Sequence, residues 1–415
     1  MEFRIENVEY RIPEGYKKTE VGVIPEDWKV VKVSQIAEIT TGNRNTEDRI
    51  QNGSYPFFVR SQQVERINSY SFDGEAVLTA GDGVGVGKVY HYINGKFDFH
   101  QRVYKISNFK DVLGRYFYEF FKANFLDEAS KYTAKSSVDS VRMEMIAGML
   151  MPTPPLSEQA AIAEALSDVD SLITSLEKLI EKKQSIKQGA LQELLTGKNR
   201  LSGFSGEWDE KTLGELFNFS GGFSASRDQL STKGYCYLHY GDIHGSDKTF
   251  IDVDSEYVSI PKLDIQLNKV TKDKLLSDGD VVFVDASEDD EGASKHIVVR
   301  NSSNLTYISG LHTIVSKSKD NTLNNKFKQF CFQSSDIKKQ FKFYAVGTKV
   351  SGISRSNIGK IIIWIPPTNE EQTAIAEILL DKDDEIDKLN QKLNKYKNIK
   401  QGMMQELLTG KVRMV

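Results

Sequence analysis

The sequence predicts an α+β chain built twice over: two similar strand-rich domains separated by an intramolecular antiparallel coiled coil of two long helices, with a pseudo-two-fold axis. Three observations predict it. QAAIAEALSDVDSLITSLEKLIEKKQSIKQGALQELLTGKNRL at 159–201 returns, without a gap, as QTAIAEILLDKDDEIDKLNQKLNKYKNIKQGMMQELLTGKVRM at 372–414. So long a match implies two helices of equal length. IPEDWKVVKVSQIAEITTG at 24–42 is answered by SGEWDEKTLGELFNFSGG at 205–222, which aligns Trp28 with Trp208, Val33 with Leu213 and Ile36 with Leu216; Tyr55 and Tyr235 keep the same spacing. DGEAVLT at 73–79 resembles DGDVVFV at 278–284, so the order is globular unit, helix, globular unit, helix.

The boundaries that follow are 1–154 for an N-terminal segment and the first strand-rich domain, 155–200 for the central long helix, 201–366 for the second domain and 367–415 for the C-terminal long helix. AVLTA, KVYHY and QRVYKI in the first domain, and KGYCYLHY, DVVFV, HIVVR and HTIVS in the second, are β-branched and aromatic runs between Gly, Asn and Asp turns, as strands require. One shorter helix is predicted in each domain, at 113–126 and 325–341. MPTPP, ending at Pro155, and IPP, ending at Pro367, close the domains, because proline holds its predecessor extended. Ser157 and Asn369 are the expected caps of the long helices.

Ile162, Leu166, Val169, Ile173, Leu176 and Ile180 in the first long helix recur at three- and four-residue spacing. Ile375, Leu379, Ile386, Leu389, Leu393 and Tyr396 form the matching stripe in the second. Such a stripe needs a mate. The alternatives are packing of each helix on its own domain and pairing with a second copy. About 40 residues make a rod of roughly 60 Å, and the domain between the helices starts near Gly197 and ends at Pro366. A parallel pair would force that domain to bridge the whole rod, so antiparallel packing is expected.

Composition excludes several function classes. The hydrophobic fraction of 39% supports real cores, and no apolar run is long enough to cross a bilayer. No signal peptide is read at either terminus, and Cys236 and Cys331 supply neither a disulfide framework nor a thiolate metal site, which agrees with a cytoplasmic location. The net charge of -4, from 54 basic and 58 acidic side chains, gives no whole-surface attraction to phosphate. Nucleic-acid binding must therefore come from local placement or from partners.

Two similar but non-identical heads on a ruler suit a ligand with two separated, non-identical sites, and DNA is the natural case because its helical repeat gives distance and angle meaning. In the first head, GDGVGVGKVYHY at 81–92 offers Gly83 and Gly85 for close backbone approach, with Lys88 behind them. A plain tight hairpin is the alternative. Arg60, Gln62, Gln63, Gln101 and Arg102 are suited to base-edge or phosphate hydrogen bonds. In the second head the candidates are Arg227, His239, Asp242, His244, Lys295, His296, His312, Lys349, Ser354 and Arg355, while the acidic run at 288–291 would repel phosphate. His239 and His244 lack a third spaced ligand, so no metal site is expected. No G-x-S-x-G, H-E-x-x-H, nucleoside-triphosphate loop or Asn/Asp-Pro-Pro-Tyr segment is present, so no catalytic residue is assigned.

TEVGVIPEDWKV and GEWDEKTLGEL ahead of the heads, PPLSEQAAIAEAL and PPTNEEQTAIAEIL at the helix starts, and LQELLTG and MQELLTG at the helix ends together resemble the specificity (S, or HsdS) subunits of type I restriction-modification systems over nearly the whole chain. The resemblance implies two target-recognition domains, each reading half of a bipartite asymmetric DNA target. It also implies a coiled coil that sets the spacer and docks two methyltransferase subunits, with restriction and motor subunits joining through them. S-adenosylmethionine would belong to the methyltransferase partner, no cofactor to this chain, and the chain itself would not be an enzyme. Two other accounts compete: a protein-binding scaffold, and a DNA-modifying enzyme with an atypical site.

Overall fold

The computed structural model describes residues 12–132, 140–246, 248–287, 295–347 and 351–415. The chain divides into two compact units, Met1–Lys178 with Gln391–Val415, and Leu179–Asn390. Each unit therefore holds a globular head and one end of each long helix.

In the first unit, six strands form one sheet in the order Glu38–Thr41, Val103–Ser107, Phe72–Ala80, Tyr90–Phe99, Tyr55–Phe58, Glu65–Ile67. Phe72–Ala80 and Tyr90–Phe99 pair antiparallel along most of their length, while Phe57 and Phe58 pair parallel to Asp98 and Phe99. The helix Gly114–Ser130 stacks Phe117 on Phe121 and Phe121 on Phe125 in a core shared with Trp28, Val77 and Ile106.

In the second unit the same order opens a five-stranded sheet: Phe217–Gly221, Thr313–Ser318, Val281–Val284, His296–Arg300, Phe250–Asp252. Here the long fourth strand of the first unit is replaced by two, His296–Arg300 and Tyr307–Ser309. The second of them leaves for a four-stranded sheet, where it runs parallel to Tyr235–Leu238. The helix expected over 325–341 is broken into Asn325–Lys328 and Ser335–Tyr344. Phe330 and Phe332 turn into the core between them, and the Ser334 hydroxyl restarts the helix by accepting from the Ile337 amide at 3.4 Å.

The two long helices, Leu156–Leu194 and Asn369–Leu407, are 39 residues each. Within the first unit Glu177 meets Lys397, Asp170 meets Lys400 and Glu158 meets Arg413; within the second, Lys183 meets Glu385, Lys187 meets Asp383 and Arg200 meets Glu371. In both series one number rises as the other falls, so the helices run antiparallel in each unit. The predicted stripe is buried at Ile173, Leu176, Ile180, Ile386 and Leu393 and half-buried at Val169, Leu389 and Tyr396. Its N-terminal members do different work. Ile162 and Leu166 lie in the first head's core, Ile375 and Leu379 in the second's. Thr368 rather than Asn369 caps the second long helix, its hydroxyl accepting from the Glu371 amide at 3.3 Å, and Ser157 lies inside the first.

The repeated motifs form one latch made twice. Trp28 donates its indole N–H to Glu158 at 3.0 Å, and Arg413 grips the same carboxylate through Nε and Nη2 at 2.8 and 2.9 Å. Trp208, Glu371 and Arg200 repeat this in the second unit, with Arg200 Nε and Nη2 at 2.7 and 2.6 Å. The next residue repeats too: Gln159 accepts from the Leu113 amide and donates to the Pro154 carbonyl, and Gln372 accepts from Asn324 and donates to Pro366. Gln159 and Gln372 thereby satisfy the backbone at each proline-closed helix start. Gly197 and Gly410, with φ of +66° and +70°, turn the chain after each long helix against Trp208 and against Pro25 with Trp28.

Candidate nucleic-acid interface

In the first unit, the strands Phe72–Ala80 and Val103–Ser107 pair Ala80 with Val103, and just beyond them Gly81 donates to the Arg102 carbonyl at 2.8 Å. This fixes Arg102 at the sheet end, opposite Asp82. Arg60, following Tyr55–Phe58, donates Nη1 to Asp82 Oδ1 at 2.7 Å, while Arg102 Nε stands 3.7 Å from Oδ2. One carboxylate thus sits between two guanidiniums. His100 Nδ1 accepts from the Arg102 amide at 2.9 Å; burial and then the Arg60 charge push its pKa below the usual histidine value, which leaves it neutral near pH 7. Gln101 bonds the Asn45 side chain at 2.6 Å.

The glycine-rich segment makes a single 3₁₀ turn, Gly83–Gly85. Gly83 is exposed at φ +73°, and Val84 beside it is 92% exposed. Gly85 is buried: a Cβ there would stand 2.6 Å from the Arg60 carbonyl oxygen, so packing alone demands this glycine, and it presents no surface to a ligand. Gln62, Gln63 and Lys88 are exposed around the same turn.

In the second unit, Val284 pairs with Thr313 and the Asp285 amide donates to the His312 carbonyl at 3.2 Å, the counterpart of the Gly81 contact. His312, at φ +61°, therefore stands where Arg102 stands in the first unit. Its Nδ1 lies 3.4 Å from Asp285 Oδ1. That oxygen makes no hydrogen bond among the described residues, so the contact is a close approach rather than an aligned bond. Tyr240 packs between His239, at 4.7 Å between ring centroids, and His312, at 5.5 Å. Arg227 donates to Asp242 at 2.9 Å and lies 3.2 Å from His239 Nδ1. Burial and then the Arg227 charge lower the pKa of His239.

The remaining predicted residues divide. Lys295 is committed to the His244 carbonyl at 2.5 Å, and His244 to contacts of its own. His296 must be withdrawn as a surface reader: it is buried, 3.3 Å from the Gln329 carbonyl, and packs on Phe332 and Phe283. Its place at the head of a strand, followed by the buried Ile297, Val298 and Val299 and paired with the buried Phe283, explains this. Ser354 caps a short helix by accepting from Asn357 at 3.2 Å, and Arg355 is exposed near Gly221. Lys349 and the acidic run at 288–291 lie outside the described residues. Sequence reading missed Asp82, Asp285 and Tyr240. The signal for Asp82 was its place inside the glycine run, two residues past the strand end at Ala80; for Asp285 and Tyr240 no local pattern sets them apart.

Among the described residues no group of His, Cys, Asp or Glu is arranged to hold a metal, and no helix is long and apolar enough to cross a membrane. Comparison with known proteins gives the constellation its context. The MjaVIII type I restriction enzyme specificity subunit of Methanocaldococcus jannaschii is 26% identical over 96% of this chain and 96% of its own length. The EcoDI specificity subunit of Escherichia coli is 30% identical over 42% of this chain and 38% of that protein. A crystal structure of a type I restriction-modification S subunit from M. genitalium shares the fold with a TM-score of 0.61 at 16% identity, covering 92% of this chain and 96% of that one. The family model for the type I restriction modification DNA specificity domain matches twice, at 25–188 and 205–398. With both heads and most of both long helices inside those matches, the chain belongs to the type I restriction-modification DNA specificity family.

Proposed function

We propose that this chain is the sequence-reading subunit of a type I restriction-modification complex, each head reading one half of a bipartite asymmetric DNA target. It docks two methyltransferase subunits and, through them, restriction and motor subunits, in the cytoplasm. The observation that carries this reading is a repeated scaffold with unlike tips. The latches of Glu158 and Glu371 are made from the same residues, whereas the sheet ends carry Arg60, Asp82 and Arg102 in one unit and Tyr240, Asp285 and His312 in the other. Equal frames with different polar tips suit two different half-sites.

Methyl transfer is left to the partner subunits, which hold S-adenosylmethionine; this chain supplies orientation and choice of site. Docking also accounts for the charge of -4, because the phosphate attraction that binding requires is then supplied by the assembly. The test is coexpression with the cognate methyltransferase in a host without competing adenine methylation, followed by methylome sequencing. A two-part motif with a fixed spacer is expected. Methylation by the purified chain alone, or a co-purified complex that methylates no defined motif, would overturn the reading.

A further inference from the structure

We infer that Arg102 and His312 are the equivalent base-reading side chains of the two heads, each aimed by a carboxylate: Asp82 positions Arg102 to read guanine, and Asp285 positions His312 to make a single contact with a base edge. This rests on the DNA-reading function proposed above and assigns its specificity to two positions.

The equivalence comes from register. Tyr104 pairs with Thr41 as Ile314 pairs with Gly221, and Val103 pairs with Ala80 as Thr313 pairs with Val284. Arg102 and His312 are the residues just before these strands, and each offers its carbonyl to the amide just after the opposing strand, from Gly81 and from Asp285. Both side chains are largely exposed, 66% and 52%, while their carboxylates are more sheltered, at 28% and 34%. Such an arrangement orders a mobile side chain without removing it from solvent.

Each carboxylate engages the nitrogen nearer the backbone and leaves the far end open. Asp82 faces Nε of Arg102, so the terminal Nη1 and Nη2 have no partner among the described residues. A planar pair of donors matches O6 and N7 of guanine, the bidentate contact that discriminates best in the major groove. Arg60 differs, because its Nη1 is spent on Asp82 at 2.7 Å. Asp285 faces Nδ1 of His312, leaving only Nε2 for a base, with Tyr240 packed against the ring. One hydrogen bond discriminates less than two. The first head's position is therefore strict, and the second's tolerates more than one base.

The test uses the full chain coexpressed with its methyltransferase, comparing methylomes of wild type, Arg102→Gln and His312→Asn. Asparagine is chosen because it accepts the φ of +61° at position 312. Arg102→Gln should open one guanine position of one half-site, with adenine joining or replacing it as glutamine's bidentate partner, and lower methylation at the original sites roughly 5- to 150-fold. His312→Asn should broaden one position of the other half-site. Neither should alter the spacer. The inference is overturned if the motif is unchanged in either variant, if both act on one half-site, or if methylation falls equally at all sites, as loss of a phosphate contact would produce. Arg102→Lys is measured alongside: complete silence of both Arg102 variants in complexes that still assemble also overturns it. A wild-type complex with no bipartite motif would instead remove the parent reading.

Discussion

Arg413 closes the first unit on Glu158, from which it is separated by 255 positions in the chain, with Nε and Nη2 on the two carboxylate oxygens at 2.8 and 2.9 Å. Arg200 closes the second on Glu371 in the same way. Each arginine follows the end of one long helix and each glutamate opens the other, so both clasps require antiparallel pairing. The Glu158 side chain is 1% exposed, and removing Arg413 leaves a buried carboxylate without its counter-charge, held only by the Trp28 indole and the Met414 amide. Arg413→Ala should destabilise the first unit by about 3 kcal/mol, and Arg200→Ala the second by a similar amount. Limited proteolysis at rising temperature, followed by mapping of the released fragments, would show which unit loosens. Loss of the wrong unit, or of neither, would contradict the clasp.

The same carboxylate predicts an acid-sensitive increment of stability. Burial raises the Glu158 pKa, but the bonds from Arg413, the Met414 amide and Trp28 outweigh it, and the folded value lies below the ordinary 4.5. A lowered folded pKa means the unfolded chain binds the proton more readily, so stability is fully present above 4.5 and is lost as pH falls through the folded value. The melting-temperature gap between wild type and Glu158→Gln should be flat from pH 7 to pH 5 and narrow below about 4.5. A gap that widens on acidification would show the opposite sign.

Helix direction in the second unit rests partly on Lys187 and Asp383, an ion pair whose side chains are 20% and 25% exposed. Burial raises the Asp383 pKa, and Lys187 opposes that shift. Lys187→Glu and Asp383→Lys should each destabilise, and together recover at least about 1 kcal/mol of coupling in a double-mutant cycle. Additive losses would mean that the two side chains do not face each other.

The duplicated LLTG turns are expected to differ in their tolerance of a side chain. Alanine at Gly410 would carry a positive φ and place Cβ 2.5 Å from the Pro25 ring, whereas at Gly197 the nearest atom is 3.1 Å away in Trp208. The left-handed backbone alone costs about 1 kcal/mol or more, and the rigid proline adds to it at the first site. Thermal denaturation should show Gly410→Ala as the more damaging change.

Much of the fold was legible because it is written twice. The unbroken match of 159–201 with 372–414 predicted both helices, the short connections at Gly197 and Pro366 predicted their direction, and Trp28 with Trp208 marked the entry to each head. The latch itself was not legible. Glu158 and Arg413 look like ordinary surface charges until the helices are paired. Pattern reading also named HIVVR but not the following strand Tyr307–Ser309, and treated the second head's short helix as continuous, because hydrophobicity does not reveal where a chain changes sheet. At the tips, residue chemistry alone proposed His296 and Arg102 with equal force. Only sheet register separates them, placing one in the core and the other beside Asp82.

Lys88 offers the contrasting kind of DNA contact. It is exposed beside the Gly83–Gly85 turn, and its side chain has no partner among the described residues. An ammonium of this kind suits phosphate, which carries no sequence information but dominates salt dependence. For the assembled complex, Lys88→Ala should weaken binding to cognate and unrelated duplexes by similar factors and make the slope of log K against log salt shallower by about one. Fluorescence anisotropy across a salt series on both duplexes measures this directly. A selective loss on the cognate duplex would move Lys88 from the backbone to a base edge, and an unchanged slope would remove it from the interface.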